Sequence, residues 1–155
     1  MKTILLSFGN EWYPALKDGR KVFEHRKRFC SEPVKAYIYL GFPMQKVVAI
    51  ISLGERISLE DWLIQYKDNS ATCSRIQDFM SRNRYAMPVL DFQEIAPISL
   101  EAYKSKQPNF IVPRSYYILE NNPSLQKYLE EQTQYKGEKR TNTFDDNLED
   151  IICTY

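Results

Sequence analysis

Charged residues are interleaved with apolar ones in one short stretch of the chain, from Gly19 to Arg26. The stretch has the pattern GxKxxExR, in which Lys21, Glu24 and Arg26 are the residues able to do chemistry. On an extended strand, Glu24 and Arg26 share one face because side chains alternate with a period of two. A carboxylate orients a neighbouring guanidinium, whose planar fork can bind a phosphate or a base edge. The pattern therefore predicts a small polar-ligand site, with Gly19 providing a tight turn and Lys21 a mobile cation.

Two other interpretations explain the same residues. An edge strand that carries a solvated Arg–Glu pair would need no function at all. A hydrolase would use Lys21 as nucleophile or base, which requires an uncharged amine, obtained by burial or through a neighbouring cation such as Arg20 or Arg26. Because Glu24 would instead hold Lys21 in its charged form, the pattern favours an anchor for phosphate or carbonyl oxygens. Binding therefore ranks above catalysis.

The cysteine and histidine content predicts neither a metal site nor a cofactor. Cys30, Cys73 and Cys153 are widely spaced, no CxxC pair exists, and His25 is the only histidine. A zinc site needs about four clustered ligands, and an odd number of distant cysteines does not make a disulfide framework. We therefore expect a reducing, cytoplasmic environment. The sequence shows no signal peptide and no apolar run of about 20 residues, so we expect no membrane association.

The composition indicates one folded domain with an uneven charge distribution. The chain has 155 residues, of which 43% are hydrophobic and 14% aromatic, and its net charge is +1. Residues 17–35 contain seven basic and three acidic side chains, whereas residues 138–150 contain five acidic ones, Asp145 and Asp146 among them. A local basic patch can collect phosphates even when the total charge is close to zero.

Hydrophobic periodicity and turn residues predict the elements that position the motif. The expected strands cover residues 3–8, 21–28, 34–40, 47–53, 86–95 and 114–119, and the expected helices cover 11–17, 58–66, 72–83, 99–104 and 124–132. Asn10 is the expected cap of the first helix, and Trp12 and Trp62 lie on apolar helical faces that predict core positions. The order of elements predicts an α+β fold, with a mixed or antiparallel barrel, peripheral helices and a helical insert at about 58–84.

The GxKxxExR motif, placed after a leading strand and a short helix, resembles the ASCH family. The later segment Pro113–Ile118 and the strands at 34–40 and 47–53 are similar as well. The resemblance covers residues 1–119 and implies a PUA-like barrel with a cleft lined by the motif strand. Residues 120–155 remain as a C-terminal helix and an acidic tail, in which Leu148, Ile151 and Ile152 are expected to dock back onto the domain.

The resemblance also implies a ligand, because ASCH domains are generally regarded as RNA-binding and are linked to RNA processing or regulation. It predicts RNA or a nucleotide-like ligand as the partner, and it makes no prediction about oligomeric state. Tyr116 is the aromatic residue expected to stack on a base, since its segment returns towards the cleft. The expected ligand-binding residues are Ser7, Gly19, Lys21, Glu24, Arg26, Ser115 and Tyr116.

Two further functions stay open beside binding. Some ASCH relatives deacetylate acetylated cytidine and others are ribonucleases, so Lys21 and Glu24 would be the catalytic residues of an enzyme of this kind. In the deacetylating members a threonine stands where this chain has Glu24, and a charged carboxylate does not replace a hydroxyl in that role. The third possibility is a protein-interaction adaptor that uses the helical insert and the acidic tail as its contact surface.

Overall fold

The computed structural model of the protein describes residues 1–144 and 147–155, so Asp145 and Asp146 of the predicted acidic tail lie outside the described residues. The described strands are β1 (Lys2–Phe8), β2 (Phe23–Arg26), β3 (Val34–Leu40), β4 (Lys46–Leu53), β5 (Ile57–Ser58), β6 (Tyr85–Ser99), β7 (Tyr116–Ile118) and β8 (Arg140–Thr141). The described helices are α1 (Tyr13–Asp18), α2 (Leu59–Gln65), α3 (Ser70–Met80), α4 (Glu101–Lys106), α5 (Pro123–Gln132) and α6 (Leu148–Ile151).

The strands form one mixed sheet that curls into a half-barrel, in the order β2-β6-β4-β3-β1-β7. β1 and β3 are parallel, which requires a crossover, and the crossover consists of α1 and β2. The other neighbours are antiparallel, and β5 and β8 add to β6. Register shifts between β4 and β6 insert bulges that increase the local bend of these strands. The predicted α+β fold with a mixed sheet is confirmed.

Both faces of the central strands are covered. Ile4, Leu6 and Phe8 of β1 belong to the cluster on one face of the sheet, whereas Leu5 packs with Tyr37 in the cluster on the other face. The almost continuous apolar runs of β3 and β4 are explained by this double burial, because most side chains on both faces are buried. These strands fix the position of the C-terminal end of β1, where Ser7 lies.

A third cluster joins the helical insert to β2. Trp62 of α2 and Ile76 of α3 pack around Phe23, and Ile152 from the C-terminal segment is buried among them. Arg75 of α3 donates hydrogen bonds to the backbone oxygens of Glu149 and Ile152, so the segment that follows α6 is held against the insert. Within the described residues, every helix is too short or too polar to cross a lipid bilayer.

The start of α1 differs from the prediction. Asn10 does not cap the helix; its side-chain amide donates to the backbone oxygens of Gly41 and Phe42 instead. Trp12 occupies the position before the first turn, and its side chain is 46% exposed. The prediction that Trp12 belongs to the core is therefore wrong, whereas Trp62 is buried as predicted. Pro14 in the first turn explains the late start, because a proline without an N–H is tolerated only there.

Candidate ligand-binding site

A pocket of about 980 Å³ opens between the C-terminal end of β1, the start of α1, β2, the end of α3 and the segment before β7. Its size falls within the range of small-molecule sites. Among the described residues, four cationic and three acidic side chains line it, together with aromatic residues and backbone. The charged lining residues are Glu11, Lys21, Glu24, Arg26, Asp78, Arg82 and Arg114.

Local backbone geometry delivers the motif to this pocket. Gly19 ends α1 with φ +90°, a left-handed conformation that glycine adopts without a Cβ clash. The N–H of Lys21 then donates to the backbone oxygen of Ala15, so the chain turns back along the helix. Lys21 and Glu24 are both buried although they are charged. β2 lies at the edge of the sheet, as the interpretation of a solvated Arg–Glu pair requires. That interpretation is nevertheless wrong, because Glu24 of the pair is buried.

Glu24 stands between the two cations of the motif. Its Oε1 lies 3.4 Å from Nζ of Lys21 and accepts a 2.9 Å hydrogen bond from the backbone N–H of His25. Its Oε2 accepts a 2.9 Å hydrogen bond from NH2 of Arg26. Burial alone would raise the pKa of Glu24, but the charges of Lys21 and Arg26 and these hydrogen bonds outweigh it and hold the pKa below its usual value. Glu24 is therefore ionised at neutral pH.

Ser7 connects the motif to the segment that precedes β7. NH2 of Arg26 also donates to the backbone oxygen of Ser7, at 2.8 Å. The hydroxyl of Ser7 donates to the backbone oxygen of Pro113 at 2.6 Å, and its N–H donates to the backbone oxygen of Ser115. Ser7 thus lines the pocket and holds the 112–115 segment over it, so its hydroxyl is committed to backbone.

His25 closes the wall next to the helical insert. Its ring meets that of Phe79 edge-on at 4.6 Å, and its Nε2 lies 3.9 Å from Sγ of Cys153. Among the described residues, Nδ1 of His25 has no hydrogen-bond partner. Burial, and next the charge of Lys21, lower the pKa of His25 to about 3, against the opposing effect of Glu24. The imidazole is therefore neutral at pH 7.

The C-terminal segment completes the pocket at the Lys21 end. The backbone oxygen of Tyr155 accepts a 3.0 Å hydrogen bond from Nζ of Lys21, and Tyr155 is one of the lining residues. The guanidinium of Arg20 lies 5.4 Å from the centre of the Tyr155 ring. Within the part of the chain that the structure describes, Lys21 therefore has two oxygen neighbours, one from Glu24 and one from this segment.

The structure brings together four of the residues expected from the sequence, Ser7, Lys21, Glu24 and Arg26, and places three outside the pocket lining. Gly19 shapes the turn and faces Arg140. Ser115 contributes its backbone oxygen to Ser7. Tyr116 packs its ring 4.9 Å from that of Phe29, as part of the core periphery.

Several lining residues are absent from the sequence-based set. Trp12 could have been found from Pro14, since a proline in the first turn makes Tyr13 the first helical residue and leaves Trp12 at the cap position, outside the helix. Arg82 follows α3 in a polar stretch that by itself indicates only an exposed surface. Asp78 and Tyr155 carry no local pattern, because tertiary packing of α3 and of the C-terminal segment brings them to the pocket.

The comparison with solved structures identifies a fold, whereas the two sequence comparisons find no match. No protein-family model matches the sequence, and no curated protein sequence matches it. The structure is similar to the crystal structure of ASCH from Zymomonas mobilis, with a TM-score of 0.63 and 22% identity over 86% of this chain and 96% of that chain. Two variants of the same bacterial protein, with a serine replaced by alanine and a tyrosine by phenylalanine, match with TM-scores of 0.62 and 0.63 at 21% identity. Each match covers 86% of this chain. The chain thus shares the fold of these ASCH structures.

Proposed function

We propose, from the ASCH fold and from the charged pocket, that the protein binds RNA or a nucleotide-sized ligand through this pocket and acts in RNA processing or regulation. The observation that carries the proposal is the buried Glu24, which fixes two cations, Lys21 and Arg26, at the wall of an open cavity. Burying one carboxylate and two cations costs desolvation free energy. Such clusters are concentrated at functional sites, where they hold donors ready for a ligand.

The cluster of Lys21, Glu24 and Arg26 contains hydrogen-bond donors that its own contacts do not use. Within the described residues, the side chain of Arg26 donates two hydrogen bonds, to Glu24 and to Ser7, and both come from NH2. The Nε and NH1 groups of Arg26 therefore remain able to donate to a ligand. These N–H groups match the geometry of a phosphate or a carbonyl edge. Arg82 and Arg114 add positive charge nearby. The lining therefore suits an anionic ligand that also offers hydrogen-bond acceptors.

The same geometry supports hydrolysis less well. A lysine that acts as nucleophile or base must be uncharged, yet Nζ of Lys21 lies 3.4 Å from the ionised Glu24 and donates to the backbone oxygen of Tyr155. Both neighbours stabilise an ammonium group. Lys21 is therefore better placed to anchor a ligand than to attack one. The adaptor hypothesis gains no support from the tail, because Ile152 is buried in the domain core.

A binding experiment with matched charge variants tests the proposal. Short single-stranded RNAs and ribonucleoside monophosphates are titrated against wild type, Lys21→Met, Arg114→Ala and Lys127→Ala. Lys127 is exposed on α5 and pairs only with Glu131 within the described residues, so its variant is the control. We expect Lys21→Met to weaken binding roughly tenfold or more, because it removes a charged donor. Arg114→Ala should weaken it severalfold and Lys127→Ala should leave it unchanged.

Two outcomes contradict this function. One is a wild-type protein that binds none of these ligands at millimolar concentration. The other is equal affinity of wild type, Lys21→Met and Arg114→Ala, since the ligand would then sit outside the pocket. Arg114 lies on the exposed side of the pocket, so its variant gives an answer even where Lys21→Met disturbs folding.

A further inference from the structure

Three large exposed apolar residues either line the pocket or are chain neighbours of residues that line it. Trp12 lines the pocket and is 46% exposed, while Phe42 and Ile111 are 83% and 82% exposed. Phe42 follows Gly41, and Ile111 precedes Val112; both of these neighbours line the pocket. Soluble proteins rarely leave aromatic and aliphatic side chains together in water, and such groups mark places where something binds.

The aromatic part of this mouth is held in place. The side chain of Asn10 donates to the backbone oxygens of Gly41 and Phe42, which ties the loop that follows β3 to the residues just before Trp12. Trp12 itself sits at the N-terminus of α1, where Pro14 fixes the first turn. The indole is thus presented by two restrained segments.

Positive charge lies directly beside the exposed indole. Nζ of Lys21 is 5.9 Å from the centre of the Trp12 ring, within the range of a cation–π contact. Arg26 lines the same pocket and forms an ion pair with Glu24. An aromatic platform next to fixed cations is complementary to a ligand that combines a flat π-system with a negative charge. Nucleotides have this combination.

We propose that Trp12 is the platform on which an unpaired base of single-stranded RNA stacks, while Lys21 and Arg26 hold the adjoining phosphate or base edge. The inference rests on the proposed function and specifies its ligand. A base in a duplex has both faces covered, whereas a splayed single-stranded base stacks on aromatic side chains. Tyr116, the residue expected from the sequence to do this, is packed against Phe29 outside the pocket. Trp12 takes the stacking role because it is exposed and lines the pocket.

The test separates stacking from charge. A short single-stranded RNA and an abasic strand with the same phosphates are titrated against wild type, Trp12→Ala, Trp12→Phe and Tyr135→Ala. Tyr135 is an exposed aromatic residue outside the pocket and serves as the control. We expect Trp12→Ala to lose roughly tenfold to a hundredfold in affinity for the RNA, with Trp12→Phe in between. The abasic strand should bind wild type and Trp12→Ala equally weakly.

Tryptophan fluorescence gives an independent readout. Because Trp62 is buried and Trp12 is exposed, RNA should quench the fluorescence of Trp12. The quenching should be seen with wild type and be absent from Trp12→Phe, whose remaining emission comes from Trp62. If Trp12→Ala binds RNA as wild type does while Arg114→Ala binds more weakly, the stacking role is overturned and the proposed function stands. If wild type binds no nucleic acid or nucleotide, both the stacking role of Trp12 and the proposed function are overturned. Self-association that Trp12→Ala abolishes, without RNA binding, would assign the mouth to a second copy of the chain and overturn the inference.

Discussion

Single residues of the pocket wall are coupled through one carboxylate. Glu24 accepts hydrogen bonds from Arg26 and from the backbone N–H of His25, and it lies within ion-pair distance of Lys21. In a poorly hydrated site an unpaired charge costs far more free energy than a paired one, so each member depends on the others. The motif GxKxxExR thus forms a structural unit, in addition to its proposed role in binding a ligand.

Replacing Glu24 with glutamine should destabilise the fold. The change leaves two neighbouring cations without their carboxylate, and we expect a loss of about 3 kcal/mol in the free energy of unfolding at neutral pH. Urea denaturation measures it, with Glu131→Gln, at an exposed position of α5, as the control that changes stability by less than about 0.5 kcal/mol. Equal stability of Glu24→Gln and wild type would contradict the pairing.

The difference in unfolding free energy between wild type and Glu24→Gln should depend on pH in one direction. The pKa of Glu24 is lower in the folded state than in the unfolded chain. Its contribution to stability is therefore complete above the unfolded pKa of about 4.3 and is lost as the pH falls through the folded pKa. The gap between wild type and Glu24→Gln should accordingly narrow in acid denaturation below about pH 4. A gap that widens there would exclude Glu24 as a buried, paired carboxylate.

His25 should not titrate in the neutral range. Burial, reinforced by the charge of Lys21, lowers its pKa to about 3, so the folded protein keeps a neutral ring where the unfolded chain takes up a proton below about pH 6.5. The stability that this group contributes is complete above that pH and declines as the pH falls towards the folded pKa. Because His25 is the only histidine, its imidazole NMR signals are unambiguous. They should stay constant between about pH 5 and 8, and an inflection near 6.5 would refute the burial.

At the scale of elements, the pocket depends on parts of the chain that are distant in sequence. β2 supplies the motif, the end of α3 supplies the facing wall, and the segment after α6 closes the Lys21 end. Periodicity predicted β1, β3 and β4 closely, because strands buried on both faces leave long apolar runs. It predicted the start of α1 and the length of β2 less well, since the capping residue and the pairing partner set those boundaries.

Truncating the buried side chain of Ile152 tests how much the packing of the C-terminal segment contributes to stability. Ile152 is fully buried with Phe23, Trp62 and Ile76. We expect Ile152→Ala to cost about 2–4 kcal/mol of unfolding free energy, from lost burial and the cavity it leaves. Ile64→Ala, on the exposed side of α2, is the matched control and should change stability by less than about 0.5 kcal/mol. If both variants have the same stability, the segment is not part of the cooperative fold.

At the scale of the whole molecule, charge acts locally. The net charge is only +1, so the molecule as a whole has no strong net attraction for an anion, and under the proposed function the pocket cations provide the ionic contacts to RNA. Of the described residues, four such cations line the pocket, and two of them, Lys21 and Arg26, pair with Glu24. Salt should therefore weaken RNA binding less steeply than it weakens binding to an extended basic surface.

The salt dependence of RNA affinity measures this difference. With two to four phosphate contacts, the slope of log affinity against log salt should be about −1.4 to −2.8 for a single strand. A fourfold rise in salt then weakens binding by roughly sevenfold to fiftyfold. Arg114→Ala should reduce the slope by about 0.7, and Lys127→Ala should leave it as it is. A slope steeper than about −4 would place the contacts on a larger surface than the pocket.

The sequence by itself determined the fold class, the central strands and the motif. These follow from local physics, because burial imposes a period on apolar residues and a glycine that ends a helix brings the next charged residues together. Only the tertiary structure decided that Glu24 is buried, that Arg82 and Tyr155 face the same cavity, and that Trp12 rather than Tyr116 is exposed at its mouth. Contacts between segments more than a hundred residues apart leave no local pattern. The accessibility of an aromatic side chain is set by what packs over it.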